Sequence, residues 1–145
     1  MADTLREHGA KTQEDLRELW RRIVFSVLIS NTDDHLRNHG FLYGGRKGWT
    51  LAPAYDLNPV PVDVRPRILS TAIGFDEDRT ASIEIALDVA EHFGLESEAH
   101  EIAREVAGPV TRWRESAASV GIGRDEIDRL ATAFEHEDLH IARRL

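Results

Sequence analysis

In ISNTDDHLRNHGFLYGGRKGWTLAPAYD, residues 29 to 56, short polar side chains gather where a strongly apolar stretch ends: Asn31, Asp33, Asp34, His35, Asn38 and His39, with Asp56 following two short apolar runs. Carboxylates, an amide and imidazoles this close in sequence offer ligands for a cation, or groups that hold and move a proton. Asp33 stands five residues before Asn38. A chain that leaves Asn38, runs out along Phe41 to Tyr43 and returns along Trp49 to Leu51 is back at its starting end when it reaches Asp56. Two carboxylates and an amide oxygen would then converge at the exit of a buried helix. That is a hard-oxygen set suited to Mg²⁺, whose shell is completed by phosphate oxygens and water. Such a set points to phosphoryl transfer, in which positioning and charge neutralisation carry most of the catalysis.

The elements that must position these groups are legible on either side. Thr12 is placed to cap a helix running to Ile29, in which Leu16, Leu19, Trp20, Ile23, Val24, Val27 and Leu28 repeat at the spacing of one buried face. The residues before it read as a polar arm. Phe41 to Tyr43 and Trp49 to Leu51, separated by Gly44, Gly45, Arg46, Lys47 and Gly48, predict a hairpin. Pro53, Pro59, Pro61 and Pro66 make residues 52 to 67 irregular, and Ile68 to Ile73 is expected to add a short strand. From Ser82 onward the pattern is helical: one helix ending at Gly94, a second over 96 to 119 that Pro109 should kink or split, and a third from Gly123. The expected fold is mainly α, an α+β lobe with one small β-hairpin beside the polar loop.

With 145 residues, 41% of them hydrophobic, the chain can bury one core, and residues 1 to 145 are expected to form a single lobe. A net charge of -8 argues against direct binding to nucleic acid, which relies on clustered Lys and Arg. With no cysteine there is neither a disulfide nor a thiolate metal site. No apolar run reaches membrane-spanning length, and MADTLREHGAKTQED has no apolar signal core. The expectation is a soluble cytoplasmic protein.

In protein kinases the catalytic Asp and a metal-binding Asn stand five positions apart, and a second metal-binding Asp follows a β segment. Asp33, Asn38 and Asp56 keep that order and the first spacing. On NTDDHLRNHGFL (31 to 42) and WTLAPAYDLNP (49 to 59), the chain resembles the C-terminal lobe of HipA-like serine/threonine kinases, the toxins of bacterial toxin-antitoxin pairs. The resemblance implies a kinase C-lobe-like helical fold and Mg²⁺-dependent transfer of the ATP γ-phosphate to a Ser/Thr hydroxyl of a protein acceptor, with a HipB-like antitoxin as partner. It assigns Asp33 as the catalytic Asp and Asn38 and Asp56 as metal ligands, with Asp34 and Arg37 inside the motif but without a role. His35 is the further catalytic candidate, because the loop also looks like the DRHxxN of phosphoinositide kinases, where the His two residues after the Asp is at the chemistry. The N-terminal lobe that grips ATP in the family has no counterpart here. Lys11 and Lys47 are the only lysines, neither on a strand preceding the loop, and Gly44 to Gly48 matches no phosphate-binding pattern. Weak ATP binding and an inactive isolated chain are therefore expected.

Other readings compete at single residues. Asp34 taken alone reads as a helix-end cap or a solvated loop residue. His35 and His39, four apart, could ligate zinc with Asp33 and Asp56 in a metal-dependent hydrolase, but the Glu of an HExxH site is missing. Asp76-Glu77-Asp78 lacks the Gly and Glu that a calcium loop needs further on, and reads as a solvated acidic turn. Trp20, Trp49 and Trp113 read as core residues. Glu135, Glu137, Asp138, Arg143 and Arg144 read as solvated termini. A non-enzymatic module kept for binding a protein partner is the alternative from another class.

Overall fold

The computed structural model describes residues 1–145. Seven α-helices follow in chain order: α1 (Ala2–His8), α2 (Thr12–Leu28), α3 (Ile83–Asp88), α4 (Ala99–Thr111), α5 (Trp113–Ser119), α6 (Arg124–Phe134) and α7 (Glu137–Arg144). Strands β1 (Phe41–Tyr43) and β2 (Trp49–Leu51) lie between α2 and α3. The fold is mainly α with one small antiparallel hairpin, as the sequence predicts. No helix is long and apolar enough to cross a membrane.

Helix α2 is the hub, packing against α1, α3, α4, α7 and β2. Its periodic face is buried at Leu16, Leu19, Trp20, Val24, Val27 and Leu28. Trp20 is fully enclosed, and its indole Nε1–H donates to the Ala86 carbonyl of α3 at 2.9 Å. A buried indole needs such a partner for its one donor. The predicted polar arm is instead α1, with Leu5 buried. Thr12 does not cap α2, since Lys11 holds that position without a side-chain bond. The Thr12 hydroxyl donates to Leu5 O at 3.1 Å and so ties α1 to α2.

The hairpin pairs Phe41 with Leu51 and Tyr43 with Trp49. It docks on α2 through the buried carboxylate of Asp15, whose Oδ2 accepts the Leu51 amide at 3.1 Å. It docks on the α1–α2 turn through Ala10 N–H to Trp49 O at 2.7 Å. Gly48 has φ +98, and a Cβ there would lie 2.4 Å from His8 O, so only glycine fits this turn. Trp49 is 43% exposed rather than core: it shares a strand face with buried Leu51 but sits at the turn end of the hairpin, beside Tyr43, with ring centroids 4.9 Å apart.

The predicted strand at Ile68 to Ile73 does not form, and only an isolated bridge joins Ile68 to Thr80. Ser82 caps α3 by accepting from Glu84 N–H and Ile85 N–H, and Gly94 at φ 71 closes the following turn. Pro109 sits near the end of α4, and the axis breaks at Arg112 before α5. Trp113 stacks on Phe134 at 4.4 Å, joining α5 to α6.

In the C-terminal run Glu135, Glu137, Arg143 and Arg144 are exposed as expected, but Asp138 is not, and the segment is not a loose terminus. It forms α7, with Leu139 and Ala142 buried against the core. Asp138 accepts the Ile83 amide with Oδ1 at 2.7 Å and pairs with Arg67 through Oδ2. Arg67 also donates to Ser30 Oγ and to Val27 O, both at 3.0 Å. One guanidinium therefore links α7, the end of α2 and the residue that opens the polar loop. Five donors in a rigid fork make arginine suited to this.

His136, next to this junction, donates from Nε2 to Leu28 O at 3.1 Å. Burial, reinforced by the Arg67 charge, holds its pKa below the usual 6.5. Above 6.5 the ring is neutral in folded and unfolded chains alike. As pH falls below that value, the unfolded chain takes up the proton first and the folded state loses stability until His136 protonates in place. Urea midpoints measured from about pH 7.5 to about pH 5 should therefore fall, and less so in His136→Gln, whose amide can still donate. An equal fall in both proteins would clear His136 of the effect.

Candidate active site

Leaving α2, the chain enters the polar loop through Ser30, whose φ is 54, and the returning segment places Asp56 at φ 57. These are the only non-glycine residues with positive φ. Such conformations cost free energy and persist where surrounding structure over-determines them, often at functional sites. Around Ser30 that structure is dense. Ser30 Oγ donates to Ala133 O at 2.8 Å, Val60 N–H donates to Ser30 O at 3.3 Å, and Ser70 N–H donates to Thr32 O at 3.0 Å. Ser30, Asn31 and Thr32 are buried, so the loop is rooted in the core before it reaches Asp33.

From His35 the backbone makes a single 3₁₀ turn over Leu36–Asn38, closed by Asn38 N–H to His35 O at 2.8 Å. This turn folds the five-residue interval back on itself. The Asn38 amide Nδ2 donates to the Asp33 carbonyl at 3.4 Å, leaving Oδ1 as the lone-pair donor of a buried side chain. The Asp33 side chain is 60% exposed and pairs with Arg65 at 3.0 Å. Beyond the strands, Ala52 N–H donates to Gly40 O at 2.8 Å, and the Tyr55 hydroxyl donates to Arg37 O at 2.7 Å. The hairpin thus brings the Tyr55–Asp56 segment back against the loop that carries Asn38. Asp56 is exposed and makes no hydrogen bond with Asn38 or Asp33. Its Oδ1 accepts from Asn58 Nδ2 at 2.6 Å, which leaves Oδ2 open. The free oxygens on Asn38 and Asp56 match the hard-oxygen chemistry that Mg²⁺ requires.

His35 is half-buried, and its Nδ1 is enclosed without a partner. His39 is turned inward. Its Nε2 lies 2.8 Å from Asp34 Oδ1, with 6% and 14% of the two side chains exposed. Asp34 is therefore neither a helix cap nor a solvated loop residue, because its second oxygen accepts from Ser26 Oγ at 3.2 Å. No three His, Asp or Glu side chains converge to hold a metal, so the hydrolase arrangement on Asp33, His35, His39 and Asp56 does not form. Asp76 and Asp78 accept the Asp78 and Thr80 amides, as expected of a solvated acidic turn.

Ser26, Asp34 and His39 line a cavity of about 230 Å³, whose other polar residues are Asp3, Thr71 and His92 and whose walls include Leu19, Ile23, Leu69, Ile73 and Phe75. Asp33, Asn38 and Asp56 do not line it. The loop therefore presents alternate residues to opposite sides, Asp33 outward and Asp34 inward. Sequence reasoning missed Arg65, Tyr55 and Ser26, whose partners lie 32, 18 and 8 residues away. Ser26 had a faint signal, a polar residue within an apolar helical run.

The HipA-like C-terminal domain family matches residues 1–114. A protein of Haemophilus influenzae named "Putative kinase" is 34% identical over 73 residues, which is 50% of this chain and 21% of that protein. "Putative kinase Y4dM" of Sinorhizobium fredii is 51% identical over 43 residues, 30% of this chain and 10% of that protein. The matches thus span only 21% and 10% of the length of these relatives. No solved structure matches. With the family matching from α1 through the polar loop and the hairpin to the start of α5, the chain belongs to the HipA-like C-terminal domain family.

Proposed function

We propose that residues 1 to 145 form the catalytic lobe of an ATP-dependent serine/threonine kinase, with Asp33 at the acceptor hydroxyl and Asn38 and Asp56 holding Mg²⁺. The observation that carries this reading is the Asn38 side chain bonded back to Asp33 O, with Tyr55 returning Asp56 to the same loop. Asp33 is exposed and, with Oδ1 paired to Arg65, would accept a hydrogen bond from an incoming hydroxyl on its other oxygen, aligning that hydroxyl for in-line attack. Arg65, 3.0 Å from Asp33 Oδ1, places an exposed guanidinium beside that carboxylate, a group suited to phosphate oxygens. When bound, Mg²⁺ supplies charge neutralisation for the phosphate oxygens.

These residues contain no glycine-rich loop that opens a helix, so phosphate contacts must come from elsewhere. Isolated residues 1 to 145 should accordingly bind Mg·ATP only weakly and transfer no phosphate at a measurable rate. Calorimetry tests the first expectation, and micromolar affinity would overturn it. A second reading, a partner-binding module without catalysis, is favoured by the exposed hairpin side chains Leu42, Tyr43 and Trp49. Binding of a HipB-like antitoxin that survives Asp33→Ala and Asp56→Ala but fails in Trp49→Ala would support it.

A further inference from the structure

Phosphoryl transfer through Asp33 and Asn38 needs the two held at a constant separation, yet the direct contacts at those residues are weak. The Asn38 Nδ2 bond to Asp33 O is long, at 3.4 Å, and the Arg65–Asp33 pair is more than half exposed on both sides. Exposed ion pairs hold geometry poorly. One residue further along, the same five-residue interval is closed far more firmly by His39 and Asp34 at 2.8 Å, with both side chains nearly enclosed. Adjacent Cα atoms are separated by a constant distance, so fixing residues 34 and 39 constrains 33 and 38 as well.

The closure is also anchored. Asp34 Oδ2 accepts from Ser26 Oγ at 3.2 Å, and Ser26 lies in the last turn of α2, the most enclosed helix of the lobe. The Asn31 amide donates to Ser26 O at 2.8 Å, and Asn31 Nδ2 donates to Ser26 Oγ at 3.3 Å, so the loop entrance shares this anchor. Of these contacts the His39–Asp34 bond has the length of a strong hydrogen bond to a carboxylate, and the Ser26 and Asn31 bonds are longer supports. We infer that Ser26, Asp34 and His39 form a buried clasp that acts as the positioning device of the catalytic loop, referencing Asp33 and Asn38 to α2 from the side opposite the substrate. The inference rests on the phosphotransfer reading of Asp33 and Asn38. None of the three residues touches substrate; they act through their neighbours.

Two measurements test the clasp. Amide hydrogen exchange on residues 1 to 145 reads loop order directly, at the Asn38 and His39 amides that close the 3₁₀ turn. His39→Leu should speed exchange there while α2 and α4 stay protected. His39→Gln, whose amide can donate from the place of Nε2, should restore protection. Joined to a nucleotide-gripping lobe, His39→Leu should lower kcat by about 10- to 100-fold with the KM for ATP unchanged, and His39→Gln should recover most of it. If His39→Leu does not fold, Ser26→Ala carries both measurements with smaller changes of the same sign. Unchanged loop exchange overturns the clasp whatever the kinetics show, and faster exchange with unaltered kcat overturns its catalytic role. Equal rates in the parent and its Asp33→Asn control would instead overturn the phosphotransfer reading, and this inference with it.

Discussion

Asp33→Asn, introduced into the lobe joined to a nucleotide-gripping partner lobe, should lower kcat for phosphate transfer from ATP by about 10²-fold or more, and far more than His35→Gln does. The two residues are the rival candidates for the acceptor hydroxyl. An imidazole is the better base, whereas a carboxylate beside a bound cation works mainly by orientation. Phosphoryl transfer with a loose transition state asks little of a base and much of alignment, which favours Asp33. The local structure adds a second reason. Asp33 is exposed, while His35 Nδ1 is enclosed and partnerless, so that nitrogen is not open to an incoming hydroxyl. Initial rates of γ-phosphate transfer to a Ser/Thr peptide decide the ranking. A larger loss in His35→Gln than in Asp33→Asn would move the role to His35 and favour a lipid-kinase-like loop.

Trp20→Ala should destabilise the lobe by about 3–5 kcal/mol, because it empties a fully enclosed site at the crossing of α2 and α3. Against a typical total of about 5–15 kcal/mol, that is enough to unfold a substantial share of molecules at room temperature if the lobe lies near the low end. Trp20→Phe separates the contributions. It keeps most of the apolar volume and loses the Nε1–H bond to Ala86 O, so its cost should be nearer 1–2 kcal/mol, about that of one buried hydrogen bond. Urea unfolding followed by far-UV circular dichroism measures both. A cost below about 1 kcal/mol for Trp20→Ala would mean that the site collapses on substitution and that α2 is not the hub described.

The helix from Thr12 and the hairpin were legible because their determinants are local. An apolar face repeats at the helical period, and a glycine-rich turn separates two β-favouring runs. Trp49 was misjudged because an apolar residue in a strand does not say how far along the strand the core extends: Leu51, on the same pleat side, is buried, while Trp49 lies beside the turn. The docked end is set by Asp15, whose carboxylate accepts the Leu51 amide and holds that end of the hairpin against α2. In the C-terminal run the solvated reading is right for Glu135, Glu137, Arg143 and Arg144 and wrong at Asp138. Its charges suggest solvent, but Asp138 has partners at Arg67 and Ile83, and α7 becomes worth burying only when those are assembled.

For the site, sequence alone determined the residue types and their order: Asp33, Asn38 five residues on, and Asp56 after a hairpin that turns the chain back. Spacing along one short loop and a two-stranded return are set by backbone geometry within a few residues, so no distant contact was needed to read them. Tertiary structure alone decided which side each residue faces. Asp33 and Asp34 are neighbours of identical chemistry, yet one is exposed beside Arg65 and the other enclosed between Ser26 and His39. The difference arises because the loop is rooted at Ser30, held by Arg67 and Ala133 from far along the chain, and Asp34 meets Ser26 and His39 while Asp33 meets only Arg65. Burial of Asp34 is tolerable because both of its oxygens find donors, a condition met only once α2 and the 3₁₀ turn are packed together.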